Sequence, residues 1–314
     1  MRCLFLYNPA SGKGRVQKRL PAVVKALERR FGKTDAAASR GPGDMERLAR
    51  EACGKYDVLA FAGGDGTFHE VLNGVGGAEN RPLLAYLPAG TANDVARSCG
   101  IPRNIRRAVK NLEKGTPVSA DVMCVCGKDY AAYEVSAGMF TPCSYSAKRS
   151  EKKYLGRLAY VLEMLRHEMK FASFPVRAEA DGKVYETECF FALLLNSRSV
   201  GGMPVNGGAA LNDGKADLLL IRGVKKAKRT YKCRAFMKLI RFLTLGYRNA
   251  KGADYVTVRA ARFIVDAPEN VVWNFDGEKG VSGRIEAEIL KEHIRLLVPV
   301  KSAKSRRFSG GEEN

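Results

Sequence analysis

The sequence predicts an α/β + β fold: an N-terminal α/β domain built on a parallel sheet, then a mainly β, sandwich-like C-terminal domain. Three observations carry this. Apolar runs at 3–7, at 57–62 and at the start of 83–96 each end in a small-residue turn, and helical patterns separate them. Strands that alternate with helices imply a parallel sheet with crossover connections. Beyond about Asp121 short apolar runs and turn residues dominate, which is the pattern of a β domain. A chain of 314 residues is long enough for both. The expected division is 1–122 for the α/β domain, 123–300 for the β-rich domain and 301–314 for a polar, disordered tail.

"CLFLY", 3–7, reads as a buried strand followed by "NPASGKGR". Leu20, Val23, Val24, Leu27 and Phe31 recur at helical spacing. Pro21 within that stretch implies a late start or a kink. "DMERLAREA", 44–52, is a second helix, and "DVLAFA", 57–62, a second buried strand. "HEVLNGV", 69–75, starts another helix. "LLAYLPAGTANDVA", 83–96, repeats the plan of strand, glycine turn and helix. In the second half a helix is expected at 151–168, with Leu155, Leu158, Leu162 and Leu165 on one side. Residues 175–188 read as a hairpin that turns at Asp181-Gly182. "FFALLL", "DLLLI", "RFIVDA", "VVWNF" and "IRLLV" are further strands.

The hydrophobic fraction of 46% argues against disorder. No apolar run reaches the roughly 18–20 residues of a membrane helix, and "CLFLY" is too short for a signal-peptide core. A cytoplasmic protein is expected. Its eight cysteines are scattered, with one C-x-C at Cys124 and Cys126 and no C-x-x-C, so they read as structural thiols rather than a metal site. The net charge of +20 predicts an anionic partner: nucleic acid, an anionic membrane or a phosphorylated ligand.

Three motifs follow predicted strands, where ligands of open α/β sheets bind. "NPASGKG" fails the P-loop pattern, with Tyr7 and Gly14 where Gly and Ser/Thr are required. It is a turn that opens a helix, either structural or suited to a phosphate. In "GGDGT", Gly63, Gly64 and Gly66 permit close backbone approach. Asp65 would repel phosphate unless a cation or a sugar hydroxyl lies between, which implies Mg2+ or a water-bridged metal. "PAGTANDVAR" repeats the logic with Gly90, Thr91, Asn93 and Asp94. Asp94 alone has a simpler reading, an acid at a helix start. Two such acids at equivalent strand ends favour a nucleotide–metal site. "DGE" at 276–278 reads either as a hairpin turn or as a base on a strand-end turn.

"NPASGKG", "GGDGTFHEVLNG" and "PAGTANDVAR", in this order and spacing, resemble the soluble bacterial diacylglycerol kinase and sphingosine-kinase-like lipid kinase family. "YEVSAGMFTPCSYSAKRSEKKYLGRLAYVLE", "LNSRSVGG", "LNDGKADLLLI" and "WNFDGE" resemble its second-domain blocks. The resemblance implies an NAD-kinase/phosphofructokinase-like first domain and a lipid kinase that uses ATP and Mg2+. It phosphorylates a diacylglycerol-like lipid alcohol at an anionic membrane surface, to which a cytoplasmic protein binds peripherally. It assigns Glu278 as general base, with Asp65 also catalytic. ATP contacts fall on Asn8, Pro9, Ala10, Ser11, Gly12, Ser39, Gly63, Gly64, Asp65, Gly66, Thr67, Glu70, Gly90, Thr91 and Asn93. Mg2+ is held by Asp213 and the carbonyls of Ala210 and Lys215, linked through water to Asp65 and Asp94. No specific nucleic acid partner is expected, since no RNA-binding aromatic motif stands out. A homodimer is compatible with this reading.

Two alternatives stand beside it: a kinase of a soluble substrate such as NAD, and a non-catalytic protein that binds nucleotide or an anionic surface. The basic stretch 225–241 is expected to form a helix from about 230. Phe236, Met237, Leu239, Ile240 and Leu243 would share one face, and Arg234, Lys238 and Arg241 the other. That helix would either pack on the β domain or meet anionic lipid.

Overall fold

The computed structural model describes residues 1–9, 14–138, 172–223 and 231–308. The expected helix at 151–168, the expected contacts of Ala10, Ser11 and Gly12, and Lys225 and Lys228 of the basic stretch lie outside the described residues. Two compact units are present. Three chain segments build the first, Met1–Tyr133, Asn196–Ala216 and Ala287–Asn314, and two build the second, Glu134–Leu195 and Asp217–Glu286.

The first unit has the parallel sheet that the alternating pattern predicts. Strands β1 (Cys3–Tyr7), β2 (Thr34–Ala38), β3 (Val58–Gly63) and β4 (Leu83–Pro88) lie in the order β2-β1-β3-β4, all parallel. β3 and β4 are buried along their whole length, as continuous apolar runs require. β2 escapes the sequence signal because "TDAAA" is a half-exposed edge strand with one β-branched residue. Beyond β4 come β15 (Ile285–Val298), β5 (Thr116–Val125) and β6 (Asp129–Ala131). β15 is parallel to β4 and antiparallel to β5. A bulge interrupts the β15–β5 register between Leu290 and Ile294, where Glu292 takes φ 52°.

Helices cover both faces. The break expected near Pro21 is observed. α1 (Arg15–Lys18) stops, Arg19 leaves helical geometry at φ −109°, and α2 (Leu20–Phe31) starts with proline in its first turn. Its buried residues, Val23, Ala26, Leu27 and Phe31, keep the helical period. α3 (Asp44–Ala52) has the expected bounds. α4 (Asp65–Val75) starts four residues before the expected His69. The buried stripe Phe68, Val71, Leu72 and Val75 needs a turn of helix ahead of it. Asp65 is well placed in that first turn, at the positive end of the dipole. "GGDGT" is therefore partly the first turn of α4 rather than a loop. α5 (Asp94–Cys99) and α6 (Ile105–Lys114) follow.

The second unit is antiparallel, as the strand-rich texture predicts. Its path is β14 (Glu278–Ser282), β13 (Val272–Phe275), β7 (Glu134–Gly138), β9 (Lys183–Leu195), β8 (Phe174–Ala180) and β12 (Arg262–Asp266). β10 (Ala216–Arg222) pairs with β9, and β11 (Tyr255–Ala260) with β10. The Asp181-Gly182 hairpin is present, and both residues take the positive φ that a two-residue turn of this kind needs. "FFALLL" is not a separate strand. It is the second half of β9, which runs from a half-exposed hairpin arm into fully buried sheet. The change from alternation to a continuous apolar run marks that passage.

The helix α7 (Tyr231–Leu245) forms as expected, but with a different inward face. Ala235, Leu239 and Phe242 are buried, whereas Met237 is 58% exposed. Lys238 does not point to solvent. Its ammonium lies 2.9 Å from Asp254 and donates to the Arg222 carbonyl at 3.0 Å. Its long stem crosses half-buried surface to reach those partners. The tail also departs from the compositional expectation. α8 (Val300–Ala303) is helical, and Phe308 is buried in the core of the first unit. Phe308 and the carbonyls of Arg307 and Phe308, which accept from the Leu211 N–H and Asn212 Nδ2, anchor residues whose polar composition hides them. Among the described residues no helix is long and apolar enough to cross a membrane.

Candidate active site

The four parallel strands β2-β1-β3-β4 end on one edge of the first unit. Asn8 and Pro9 follow β1, Ser39 follows β2, and the two glycine turns follow β3 and β4. The Ser39 N–H donates to the Tyr7 carbonyl at 2.9 Å, which ties the first two strand ends together. The turns after β3 and β4 are in direct contact. A Cβ on Gly90 would sit 2.6 Å from the Gly64 Cα, and one on Gly64 3.2 Å from the Gly90 Cα. Bare backbone is required on both sides because the turns cross there. A Cβ on Gly63 would run into the Thr67 side chain, so that glycine makes room for the first turn of α4.

Asp65 staples this crossing. Its two carboxylate oxygens accept the N–H groups of Asn93, at 2.7 Å, and Asp94, at 2.6 Å. Two backbone donors fix this carboxylate between the two turns. The repulsion expected between Asp65 and a phosphate is thus met in part by the protein's own donors. Asn93 is buried in left-handed geometry at φ 51°. Its side chain closes the β4 turn, accepting from the Gly90 N–H at 2.9 Å and donating to the Gly90 carbonyl at 2.8 Å. Below, the Tyr86 hydroxyl lies 3.2 Å from both the Gly63 carbonyl and Asn93 Oδ1. Burial, and then the Asp65 and Asp94 carboxylates, hold that phenol well above its usual pKa. Tyr86 therefore stays a neutral donor under both turns. No side chain caps the start of α4, so its first-turn N–H groups suit an anion.

Two expected site residues are turned to other tasks. Glu70, one turn into α4, accepts the N–H groups of Gly43 at 3.1 Å and Met45 at 3.2 Å. It caps the start of α3 from another helix. Asp94 is buried, and its Oδ1 accepts the Ser199 hydroxyl at 2.6 Å and the Gly202 N–H at 2.8 Å. Burial raises its pKa; the Ser199 and Gly202 donors oppose the rise without cancelling it. Asp94 thus joins α5 to the "NSRSVGG" segment.

The "LNDG" turn belongs to the same unit. Asp213 Oδ1 accepts the Lys215 N–H at 3.0 Å. Beside it, the buried Asp121 on β5 accepts the Gly214 N–H at 2.6 Å and the Glu292 N–H at 2.7 Å. Asp121 is a residue the sequence reading missed; an acid in an apolar strand is the signal that could have flagged it. Burial raises its pKa; the Glu292 and Gly214 N–H donors oppose the rise without cancelling it, and the nearby charges of Asp213 and Glu292 add smaller upward contributions. A cation at this turn would relieve that concentration of negative charge. Among the described residues no three His, Cys, Asp or Glu side chains converge on a metal-sized point. A cation here would need main-chain oxygens as well as Asp213. A carboxylate with carbonyls is an all-oxygen, hard donor set, which fits Mg2+.

In the second unit, Glu278 opens β14 directly after the Asp276-Gly277 turn. Both turn residues have positive φ, 53° and 93°, so the hairpin geometry anticipated for "DGE" is present. The turn is held by three hydrogen bonds, from Asn274 and Glu134. Asn274 Oδ1 accepts the Gly277 N–H at 2.7 Å. The Asp276 N–H donates to the Glu134 carbonyl at 3.0 Å, and the Glu134 N–H donates to Asp276 Oδ1 at 3.0 Å. Glu278 is exposed on this fixed support.

The parallel unit with crossed glycine turns and the antiparallel β unit define a class of kinase for which two family models match. The diacylglycerol kinase catalytic domain matches residues 2–125, and the YegS C-terminal NAD kinase beta sandwich-like domain matches 134–298. The chain is 32% identical to the diacylglycerol kinase of Bacillus subtilis (strain 168), covering 96% of this chain and 98% of that protein. It is 30% identical to the diacylglycerol kinase of Staphylococcus carnosus (strain TM300), covering 95% of each. A crystal structure of a diacylglycerol kinase from Bacillus anthracis str. Sterne superposes with a TM-score of 0.77 at 25% identity, covering 96% of this chain and 98% of that one. The chain belongs to the diacylglycerol kinase family, a family of lipid kinases.

Proposed function

We propose that this protein transfers the γ-phosphoryl group of ATP to the primary hydroxyl of a diacylglycerol-like lipid alcohol, with Mg2+, and forms the phosphatidic acid. The observation that carries the reading is the pair of glycine turns crossed at Gly64 and Gly90 and stapled by Asp65. Such a fixed edge, with bare glycine backbone where the turns cross, suits the phosphates of a nucleotide. Relatives named as diacylglycerol kinases over nearly the full length support the acceptor.

In this reading the turns after β1, β3 and β4 bind the nucleotide, and Ser39 adds a contact at the end of β2. Asp65 and Asp94 act as positioning residues, since their oxygens accept the donors that join the turns to one another and to the Ser199 segment. Glu278 takes the proton of the acceptor hydroxyl; a positioned carboxylate of this kind contributes typically about 10²–10⁴ in rate. Its exposure and its rigid hairpin suit that task. Asp213, with the Ala210 and Lys215 carbonyls, would hold Mg2+, whose charge would offset that of the phosphates. Catalysis is then mostly positioning and charge neutralisation. The protein would work from the aqueous side of a membrane, since its acceptor is confined to the bilayer.

The test is phosphoryl transfer from labelled ATP with Mg2+ to a panel of diacylglycerol, sphingoid base, polyprenol, glycolipid and NAD. Label that extracts into organic solvent with diacylglycerol is the expected result. Label confined to water-soluble product, or no transfer at all, overturns the proposal.

A further inference from the structure

The outward face of α7 differs from those of α3 and α6. Arg234, Met237, Arg241 and Leu245 fall at i, i+3, i+7 and i+11 and form one stripe. All four are exposed, Met237 by 58% and Leu245 by 53%. Arg248 and Lys251 continue the exposed cations just beyond the helix end. No acidic residue occurs between Asp217 and Asp254 in the sequence. Asp254 is occupied by Lys238. Among the described residues Arg234, Arg241, Arg248 and Lys251 make no ion pair.

α3 shows what an ordinary solvent helix of this chain looks like. Arg47 pairs with Asp44 at 2.6 Å and Glu51 at 2.7 Å, and Arg50 pairs with Glu46. Its charges neutralise one another locally, and it exposes no large apolar side chain. α7 does the reverse on both counts. Unpaired cations that flank outward apolar residues on one helix stripe match a surface that is negative outside and apolar just beneath. Duplex nucleic acid offers the charge but no apolar layer for Met237 and Leu245. α6 supplies the internal comparison: Arg106, Arg107 and Lys110 are exposed there, without an exposed large apolar neighbour.

We infer that the outer stripe of α7 docks the protein on a bilayer that contains anionic phospholipid, with Arg234 and Arg241 at the headgroups and Met237 and Leu245 entering the acyl boundary. The inference rests on the lipid kinase reading for its purpose. Its test does not, because vesicle binding needs neither nucleotide nor substrate.

The experiment is co-sedimentation of the full chain with vesicles of phosphatidylcholine, with and without phosphatidylglycerol, at low and high salt. The parent should bind the phosphatidylglycerol vesicles and lose much of that binding at high salt. Each cation near an anionic surface strengthens binding about fivefold, so R234Q/R241Q should lose about 25-fold. R106Q/R107Q on α6, with the same change in net charge, should lose only the long-range share, a few-fold at most. A tryptophan placed by M237W should shift its emission to the blue on phosphatidylglycerol vesicles and not on duplex DNA. Thermal melts of each variant confirm that these exposed positions leave the fold intact. Unchanged sedimentation of R234Q/R241Q, equal losses in the α6 and α7 pairs, or no blue shift in M237W overturns the docking surface. Duplex DNA that displaces the protein from the vesicles through Arg234 and Arg241 overturns it too, and assigns the stripe to nucleic acid.

Discussion

Gly90→Ala is the most direct probe of the crossed turns. Two effects oppose each other. Gly90 does not have a positive φ, so alanine has an accessible backbone conformation there. On chain entropy alone the change would stabilise by about 0.4–1 kcal/mol. The new Cβ, however, would lie 2.6 Å from the Gly64 Cα and 2.9 Å from Asn93 Oδ1. The first is backbone, which cannot rotate away, and the second belongs to the side chain that closes the turn. Overpacking of this kind costs about 1–3 kcal/mol. The net expectation is a loss of about 1–2 kcal/mol, or roughly 2–8 °C in Tm for a unit of this size. Gly207→Ala is the control: Gly207 also lacks positive φ, and a Cβ there meets nothing within 4 Å. It should leave Tm unchanged or slightly higher. The choice of probe matters, because the single tryptophan, Trp273, lies in the second unit and its fluorescence would report on the wrong part of the chain. Calorimetry of both variants and amide exchange at Asn93 and Asp94 are the appropriate measurements. Exchange at those two amides should quicken in G90A, since both are donated to Asp65 across the crossing. A several-fold rise in the KM for ATP should accompany it. Equal stability of G90A and G207A, with exchange at 93 and 94 unchanged, would refute the contact and the site built on it.

Three further perturbations separate the proposed roles. Glu278→Gln should lower kcat by about 10²–10⁴ and leave nucleotide binding and Tm near those of the parent; rapid single-turnover transfer by the variant would remove Glu278 as the base. Asp213→Ala should weaken Mg2+ binding measured by calorimetry on the substrate-free protein and shift the Mg2+ dependence of turnover to higher concentration; an unchanged titration would make "LNDG" a plain turn. Asp94→Asn tests a linkage. The Asp94 carboxyl is raised above 3.8 in the folded state by burial, so the fold retains its proton over a range where the unfolded chain has lost it. Ionisation therefore costs nothing below the unfolded value, and its full cost is present above the folded one. The Tm difference between D94N and the parent should move in favour of D94N as pH rises from below 4, and a flat difference would contradict the assigned shift.

What was legible in the sequence was whatever repeats locally. Apolar period located α3, β3 and β4, and the proline break between α1 and α2 followed from the ring of Pro21 alone. The two glycine turns were also visible, because a cluster of small residues directly after an apolar run ends the strand and lets the chain reverse in a few positions. What could not be read is which partner a polar side chain finds across the fold. Asp65 meets N–H groups 28 and 29 positions away, and Glu70 caps a helix 25 to 27 positions back. Nothing in the spacing of either residue indicates that. Lys238 shows the same limit from the surface side. On a helical wheel it belongs with Arg234 and Arg241, yet Asp254 and the Arg222 carbonyl draw it inward, while Met237 takes the outward place. The physical reason is common to all three cases. Burying an apolar side chain is nearly indifferent to which neighbour covers it, so a periodic pattern is enough to specify it. A buried or half-buried charge must find particular donors or acceptors at hydrogen-bond distance, and those are fixed only once the strands have an order. An acid in a glycine turn can therefore hold a cation or hold the turn. For Asp65 the two N–H donors from the start of α5 support the second role, since they tie the two turns together across the crossing.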